Sequence, residues 1–479
     1  MVRCILVALI VISGCSTSAT NGITTISSAP QSGNPVWVRS DIEPVSQPIE
    51  AGGKFVVYIV SEGNLQLVGL DPKSGVTDWS IDASTSNITP GVAPSLVSVA
   101  GYIPILFPTY GLSSGGPVKI AAVNPANGSI VWTGKSGVYS DWPAPCPGSL
   151  TDVCDEGQLS NSGSQYSTIF DYDGKTGRLA SSTSIMIPGH PSIQTTYARQ
   201  LAWGLYDPGA RNPEYIMGVT GDTIKWSSPL SSLFPPGYTS DTGWQFDRVD
   251  ADHLYVGSIE GPTTKTPTTM TENLANQMTL GFSIENGSIV WSDPGASYAC
   301  GNLFECPGSN SPNAAAPTIG VRTREQGIAT ANLTTNKFTI SSDASVVIEG
   351  FDLASGKTLW SFNAGHDVPM MTYAVLASYS AENVVLVPDA AGHLILLNLT
   401  NGSTSVAPSG QVMWCQSVKL YNLNQGGKSI SYTKDPTTYP CDTSGNVISV
   451  PSHVPAFIGA NYNGIVAFSK SKEIVAAHE

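Results

Sequence analysis

From Leu67 to Trp79 the chain reads LVGLDPKSGVTDW: an apolar run, a polar turn led by Asp71, then Gly75 and, four residues on, Trp79. The same order returns in AAVNPANGSIVW at Asn124, Gly128 and Trp132, in GFSIENGSIVW at Gly287 and Trp291, and in EGFDLASGKTLW at Asp352, Gly356 and Trp360. Each copy predicts two antiparallel strands and the hairpin between them. Asp or Asn accepts the turn hydrogen bonds, Gly takes positive φ without a Cβ clash, and Trp packs from the second strand. Weaker copies fill the gaps: Asp173 and Gly177 in FDYDGKTGRL and Asn398 and Gly402 in LLNLTNGSTSV lack the Trp, and GVTGDTIKW, ending at Trp226, has a distorted turn.

Outer strands are therefore expected at positions 79, 132, 181, 226, 291, 360 and 406, preceded by an orphan copy, Gly33 to Trp37. The C-terminal stretch Ile458 to Ser469 matches inner strands without the Gly–Trp hairpin that should follow, and the Trp37 strand can supply it. A ring closed in this way leaves no open sheet edge. The expected fold is all-β: a single β-propeller over residues 35–479, with eight four-stranded blades closed by pairing the N-terminal strand with the C-terminal repeat. The long steps 226 to 291 and 291 to 360 must hold insertions.

The pattern D-x-x-[ST]-G-x-x-x-W at Asp71, Ser74, Gly75 and Trp79, and again at Asp352, Ser355, Gly356 and Trp360, resembles the repeat of quinoprotein-like (PQQ-repeat) β-propellers across most of residues 35–470. That resemblance implies the fold and two kinds of function: pyrroloquinoline-quinone (PQQ) dehydrogenases, and non-catalytic BamB-like lipoproteins. No Trp-Asp dipeptide occurs, unlike a WD40 array. Quinone-dependent alcohol dehydrogenases place a disulfide between adjacent cysteines beside the cofactor, but here the closest pair, Cys300 and Cys306, has five residues between them. No C-x-x-C-H haem motif, catalytic residue or metal set is expected. PQQ and calcium enter only under the alternative, an alcohol or sugar oxidoreductase using the propeller channel. Asp171, Asp173 and Gly174 begin like a calcium loop but lack its further ligands and align with the repeat turn.

Charge narrows the partners. With 36 acidic against 22 basic residues the net charge is −14, and no basic cluster offers the counterion release that nucleic-acid binding needs. No apolar run reaches the roughly 18 residues of a spanning helix. At the N-terminus, Arg3, the apolar run Ile5 to Ile12 and then Ser13, Gly14 and Cys15 resemble a bacterial lipobox. The expectation is a signal peptide over 1–14, lipid on Cys15, a Ser/Thr-rich tether over 15–34, and an exported protein anchored to the cell membrane, facing the periplasm or the cell surface.

Six cysteines remain, and proximity favours Cys146 with Cys154, Cys300 with Cys306, and Cys415 with Cys441. The first of each pair follows an outer-strand position by 14, 9 and 9 residues, which predicts equivalent loops, from the outer strand of one blade to the inner strand of the next, on one face of the ring. Trp142, Tyr298 and Trp414 accompany them, and His190 and His366, the latter followed by Asp367, fall in two further loops of that class. These residues are expected to form a binding mouth, the alternative being that each ring covers its own disulfide. The function expected is that of a monomeric scaffold for an envelope protein or a glycan, touching the membrane through the Cys15 lipid alone.

Overall fold

The computed structural model describes residues 34–85, 94–109, 117–139, 142–146, 149, 151–159, 168–184, 186–187, 190–195, 201–205, 214–220, 223–238, 244–249, 254–259, 261–300, 318–333, 337–366, 378–379, 383–407, 411–425, 428–442, 446–470 and 472–479. They form a β-propeller architecture of antiparallel sheets built from successive hairpins, with the repeat Trp on the strand that follows each repeat turn. In the first sheet the order is Glu43–Pro44, Lys54–Ser61, Asn64–Leu70 and Thr77–Asp82, so Trp79 lies at the outer edge as expected. Inner strands are buried along their length, Lys54–Ser61 and Asn64–Leu70 almost continuously, whereas Thr77–Asp82 is largely exposed. This gradient follows the sequence: Val, Ile, Leu and Phe run inside, and Thr, Asp and Ser alternate with Trp outside.

The repeat turn is rigid for a chemical reason. Asp71 Oδ1 accepts from Lys73 N at 3.1 Å, Ser74 N at 2.9 Å and Ser74 Oγ at 2.7 Å, while Gly75 N donates to Asp71 O at 2.8 Å. Gly75 has φ +70°, and a Cβ there would stand 2.7 Å from Trp37 Cδ2. Each Trp is a wedge between neighbouring sheets. Trp79 Nε1 donates to Pro125 O at 3.0 Å, Trp132 to Gly174 O at 2.8 Å, Trp226 to Ile284 O at 2.8 Å and Trp291 to Leu353 O at 3.0 Å, in each case a carbonyl of the next repeat's turn. A net gain of about 1 kcal/mol per bond adds to the burial of the ring.

The termini meet through the same device. The C-terminal repeat contributes Ala460–Tyr462, Ile465–Lys470 and Glu473–His478, and Trp37–Arg39 adds at the edge with Trp37 opposite Ala476. Trp37 Nε1 then donates to Pro72 O of the first sheet at 2.9 Å.

The expected insertions are sheet. Hairpins Thr263–Lys265/Thr269–Asn273 and Ile328–Asn332/Lys337–Ile340 arise from neighbouring blades and pair with each other, Met270 opposite Ala331, as an extra four-stranded sheet. Each is inserted between the second and third strands of its blade, at the end opposite the repeat turns. A second addition, the long hairpin Met413–Gln425/Lys428–Cys441, lies between Thr404–Val406 and the last sheet. Position 406 is Val where the strong repeats carry Trp, and Trp414 of this hairpin is buried, edge-on to Phe468 at 5.4 Å.

Candidate functional site

The cysteine-bearing loops are not where the spacing placed them. Cys146 bonds Cys154 and Cys415 bonds Cys441, as expected from proximity. Ile130–Tyr139 crosses from one blade to the next as one continuous strand, pairing with Val118–Val123 at its start and with Gly157 to Leu159 at its end. No crossing loop is needed there. Cys146 therefore follows the innermost strand, after Ala144 opposite Cys154, and the connection returns beside the repeat turn, where Gly174 N donates to Thr151 O at 2.9 Å. Cys300 ends the equivalent inner strand, its Sγ accepting from Val321 N at 3.1 Å. Cys415 lies instead at the base of the long hairpin, so the three cysteines do not share one class of loop.

The aromatic rings need a related correction. Trp142 is 3% exposed, 5.8 Å from the Tyr58 ring; Tyr298 is 5% exposed, edge-on to Phe351; Trp414 is 1% exposed. Rings buried in this way offer a partner little contact area, and the ring partners found, Tyr58, Phe351 and Phe468, are other aromatic residues. The backbones of His190 and His366 fall in strands His190–Thr195 and Thr358–His366. Their side chains, with Asp367, Cys306 and Cys15, lie outside the described residues.

Three polar clusters were not anticipated. Arg322 Nε donates to Glu349 Oε2 at 2.8 Å, and its Nη2 lies 2.9 Å from Asp293 Oδ2 on the neighbouring blade. Arg324 Nη2 reaches the same two carboxylates at 2.7 and 3.2 Å. Burial pushes the Glu349 carboxyl up, but Arg324 and Arg322 together outweigh it and hold it below its ordinary range. Two cations and two anions thus cancel. On the extra sheet, burial lifts Glu272 to about 7 against hydrogen bonds with Gly261 N at 3.1 Å and with the Gln277 side chain, and Glu325 adds repulsion. Glu325 is itself raised by burial while accepting from Thr323 Oγ1 at 2.9 Å. In the seven-stranded sheet, Asp155 is fully buried and its charge adds to the burial that raises Tyr139 and Tyr172 there and Tyr58 in the first sheet.

Their chemistry is structural. Cys146, Cys154 and Asp171 place ligand-type atoms within 4.8 Å of one another, yet the disulfide leaves no thiolate to hold a metal. A quinone bearing several carboxylates needs cations free to meet it, and Arg322 and Arg324 are already matched by Asp293 and Glu349. The arginine cluster therefore does not fit that group. Alternation at Arg322 and Arg324 was a visible signal that two guanidiniums share a strand face. The long hairpin was also visible, as two alternating runs about Gly426-Gly427.

The family model described as outer membrane protein assembly factor BamB matches residues 14–183. No curated protein matches the chain. Among solved structures, BamB from Moraxella catarrhalis aligns at 12% identity over 75% of this chain and 81% of its own, with a TM-score of 0.31. Quinohemoprotein alcohol dehydrogenase from Comamonas testosteroni aligns at 11% identity over 88% and 78%, TM-score 0.37. A europium-containing methanol dehydrogenase aligns at 10% identity over 81% and 85%, TM-score 0.34. These likenesses do not choose between scaffold and dehydrogenase. The family match covers the N-terminal end, and the Asp–Gly–Trp turn with its wedge continues through the later sheets, a likeness to the repeat of PQQ-repeat β-propellers.

Proposed function

We propose that the chain is a non-catalytic, lipid-anchored propeller of the bacterial envelope that holds a protein partner on a rigid scaffold. The observation that carries this reading is that the chain's additions to its repeat are sheet: the four-stranded bridge between two blades and the disulfide-based hairpin. The charges buried near the bridge are largely matched to one another, which favours rigidity over reactivity. Paired strands standing off a ring suit recognition by added strands or by side-chain pockets. The match to an outer-membrane assembly factor supports an envelope role, and the lipobox-like Ser13-Gly14-Cys15 supports anchoring at Cys15 with residues 15–34 as tether. On this reading the ring has eight blades, needs no cofactor, and presents the bridge sheet to its partner.

Crosslinking of the full-length protein in native envelopes tests it. One protein partner should be captured reproducibly, and shortening Thr263–Asn273 to a tight turn should abolish the capture. Purified protein supplied with PQQ and calcium should reduce no dye with alcohols or sugars. Reproducible turnover there would replace the scaffold reading with the oxidoreductase one.

A further inference from the structure

The dipeptide Asn-Gly recurs at 21–22, 127–128, 286–287, 401–402 and 463–464, and all but the first lie within the described residues. Glycine has no side chain to obstruct its amide nitrogen, which can therefore reach the Cγ of a preceding asparagine. Whether it does so depends on what holds the two residues.

Three copies sit in repeat turns and are held in three ways. Asn127 Oδ1 accepts from Ser129 N at 3.0 Å, Asn286 Oδ1 from Ser288 N at 2.9 Å and Asn401 Oδ1 from Ser403 N at 2.9 Å. The glycine amides are occupied as well: Gly128 N donates to Asn124 O at 2.8 Å, Gly287 N to Ser283 O at 3.0 Å and Gly402 N to Asn398 O at 2.8 Å. The preceding repeat's tryptophan then closes the open side of each glycine. A Cβ on Gly128 would stand 2.7 Å from Trp79 Cδ2, on Gly287 2.3 Å from Trp226 Cε3 and on Gly402 2.7 Å from Trp360 Cγ.

Asn463 and Gly464 lack most of these restraints. They form the two-residue turn between Ala460–Tyr462 and Ile465–Lys470, with φ of +51° and +78°, a turn that favours Asn-Gly. Asn463 is exposed, its side chain makes no hydrogen bond among the described residues, and a Cβ on Gly464 would meet nothing within 4 Å. Gly464 N donates to a side chain, Asn461 Oδ1, at 3.1 Å.

We propose that Asn463 is a site of spontaneous deamidation, a modification that the repeat turns resist. Gly464 N attacks Asn463 Cγ: the N–Cγ bond forms, the Cγ–Nδ2 bond breaks, and Nδ2 leaves as ammonia with the glycine amide's proton. Water opens the five-membered imide at either carbonyl, giving aspartate, or isoaspartate with the chain rerouted through Cβ and Cγ. Both products add one negative charge, and isoaspartate lengthens the turn by a methylene. Gly464 O accepts from Glu479 N at 2.8 Å, and Asn461 Nδ2 donates to Glu479 Oε2 at 2.6 Å. A longer, more acidic turn therefore loosens the end of Glu473–His478, the strand to which Trp37–Arg39 pairs.

The test ages the full-length protein in mildly alkaline buffer and follows the four asparagines by peptide mapping with mass spectrometry. In the folded protein Asn463 should convert at least about fivefold faster than Asn127, Asn286 or Asn401, the rate factor of one hydrogen bond that must open first. In urea the preference should vanish. Asn461→Ala, which frees Gly464 N, should speed conversion of Asn463 in the folded protein and leave the other three unchanged, which separates release of this amide from general unfolding. Equal rates in the folded protein, an intact Asn463, the same preference persisting in urea, or an Asn461→Ala variant that converts Asn463 no faster would overturn the proposal.

Discussion

Glu272→Gln should make the protein more stable in neutral and alkaline solution. Glu272 is 9% exposed, and burial raises its pKa from the ordinary 4.5 to about 7. At about 1.4 kcal/mol per pKa unit, the gap corresponds to roughly 3 kcal/mol at most. The sign follows from which state ionises first. Below about pH 4.5 Glu272 is neutral in both states and its contribution is intact; between about 4.5 and 7 only the unfolded chain ionises, so stability falls as pH rises; above about 7 the loss is constant. Gln keeps an oxygen for Gly261 N and never ionises. Urea unfolding of parent and variant across this range supplies the assay, and their difference cancels the carboxylates common to both, such as Asp71 and Asp173, whose turn hydrogen bonds lower them. The variant should gain up to about 3 kcal/mol by pH 8 and little at pH 4. Parallel curves would refute the reasoning, because they would mean that Glu272 titrates alike in both states.

Three further perturbations follow from the packing. Gly69→Ala would place a Cβ 2.2 Å from Trp79 Cε2 and drive that ring off Pro125 O, so a loss of about 1–3 kcal/mol by chemical denaturation is expected. Glu349→Gln leaves the buried Arg322 short of a counter-charge and should cost about 3–5 kcal/mol, whereas replacing Arg322, Arg324, Asp293 and Glu349 together by apolar residues of similar size should cost far less. Cys415→Ser with Cys441→Ser opens a 26-residue loop and should lower stability by about 3 kcal/mol, measured as a shift of the urea midpoint.

The fold was legible because the repeat is written in local chemistry. Asp71, Ser74 and Gly75 close a turn on their own hydrogen bonds, and the Trp that follows must find a surface, which the next turn provides. Even the meeting of the termini could be read, since Trp37 is a wedge without a hairpin and the C-terminal strands are a repeat without a wedge. The candidate site was less legible. Counting residues from the outer strand to Cys146 assumes a crossing loop, and nothing in the sequence of Ile130–Tyr139 reveals that one strand serves two blades. Trp142 and Trp414 looked like mouth residues because aromatics beside cysteines read alike on a surface and in a core. The Arg322–Glu349 pairing, with a separation of 27 residues, depends on register, and the contact to Asp293 depends on how neighbouring blades pack.

The most direct test of the account is native-state hydrogen exchange on a chain carrying Trp37→Ala. Trp37 is 8% exposed, pairs with Ala476 in the last sheet and donates to Pro72 O in the first. If that wedge knits the ends into one cooperative body, amides of Glu473–His478 and of Lys54–Leu70 should lose protection together and by the same factor. Faster exchange confined to Glu473–His478, with Lys54–Leu70 as slow as in the parent, would contradict it.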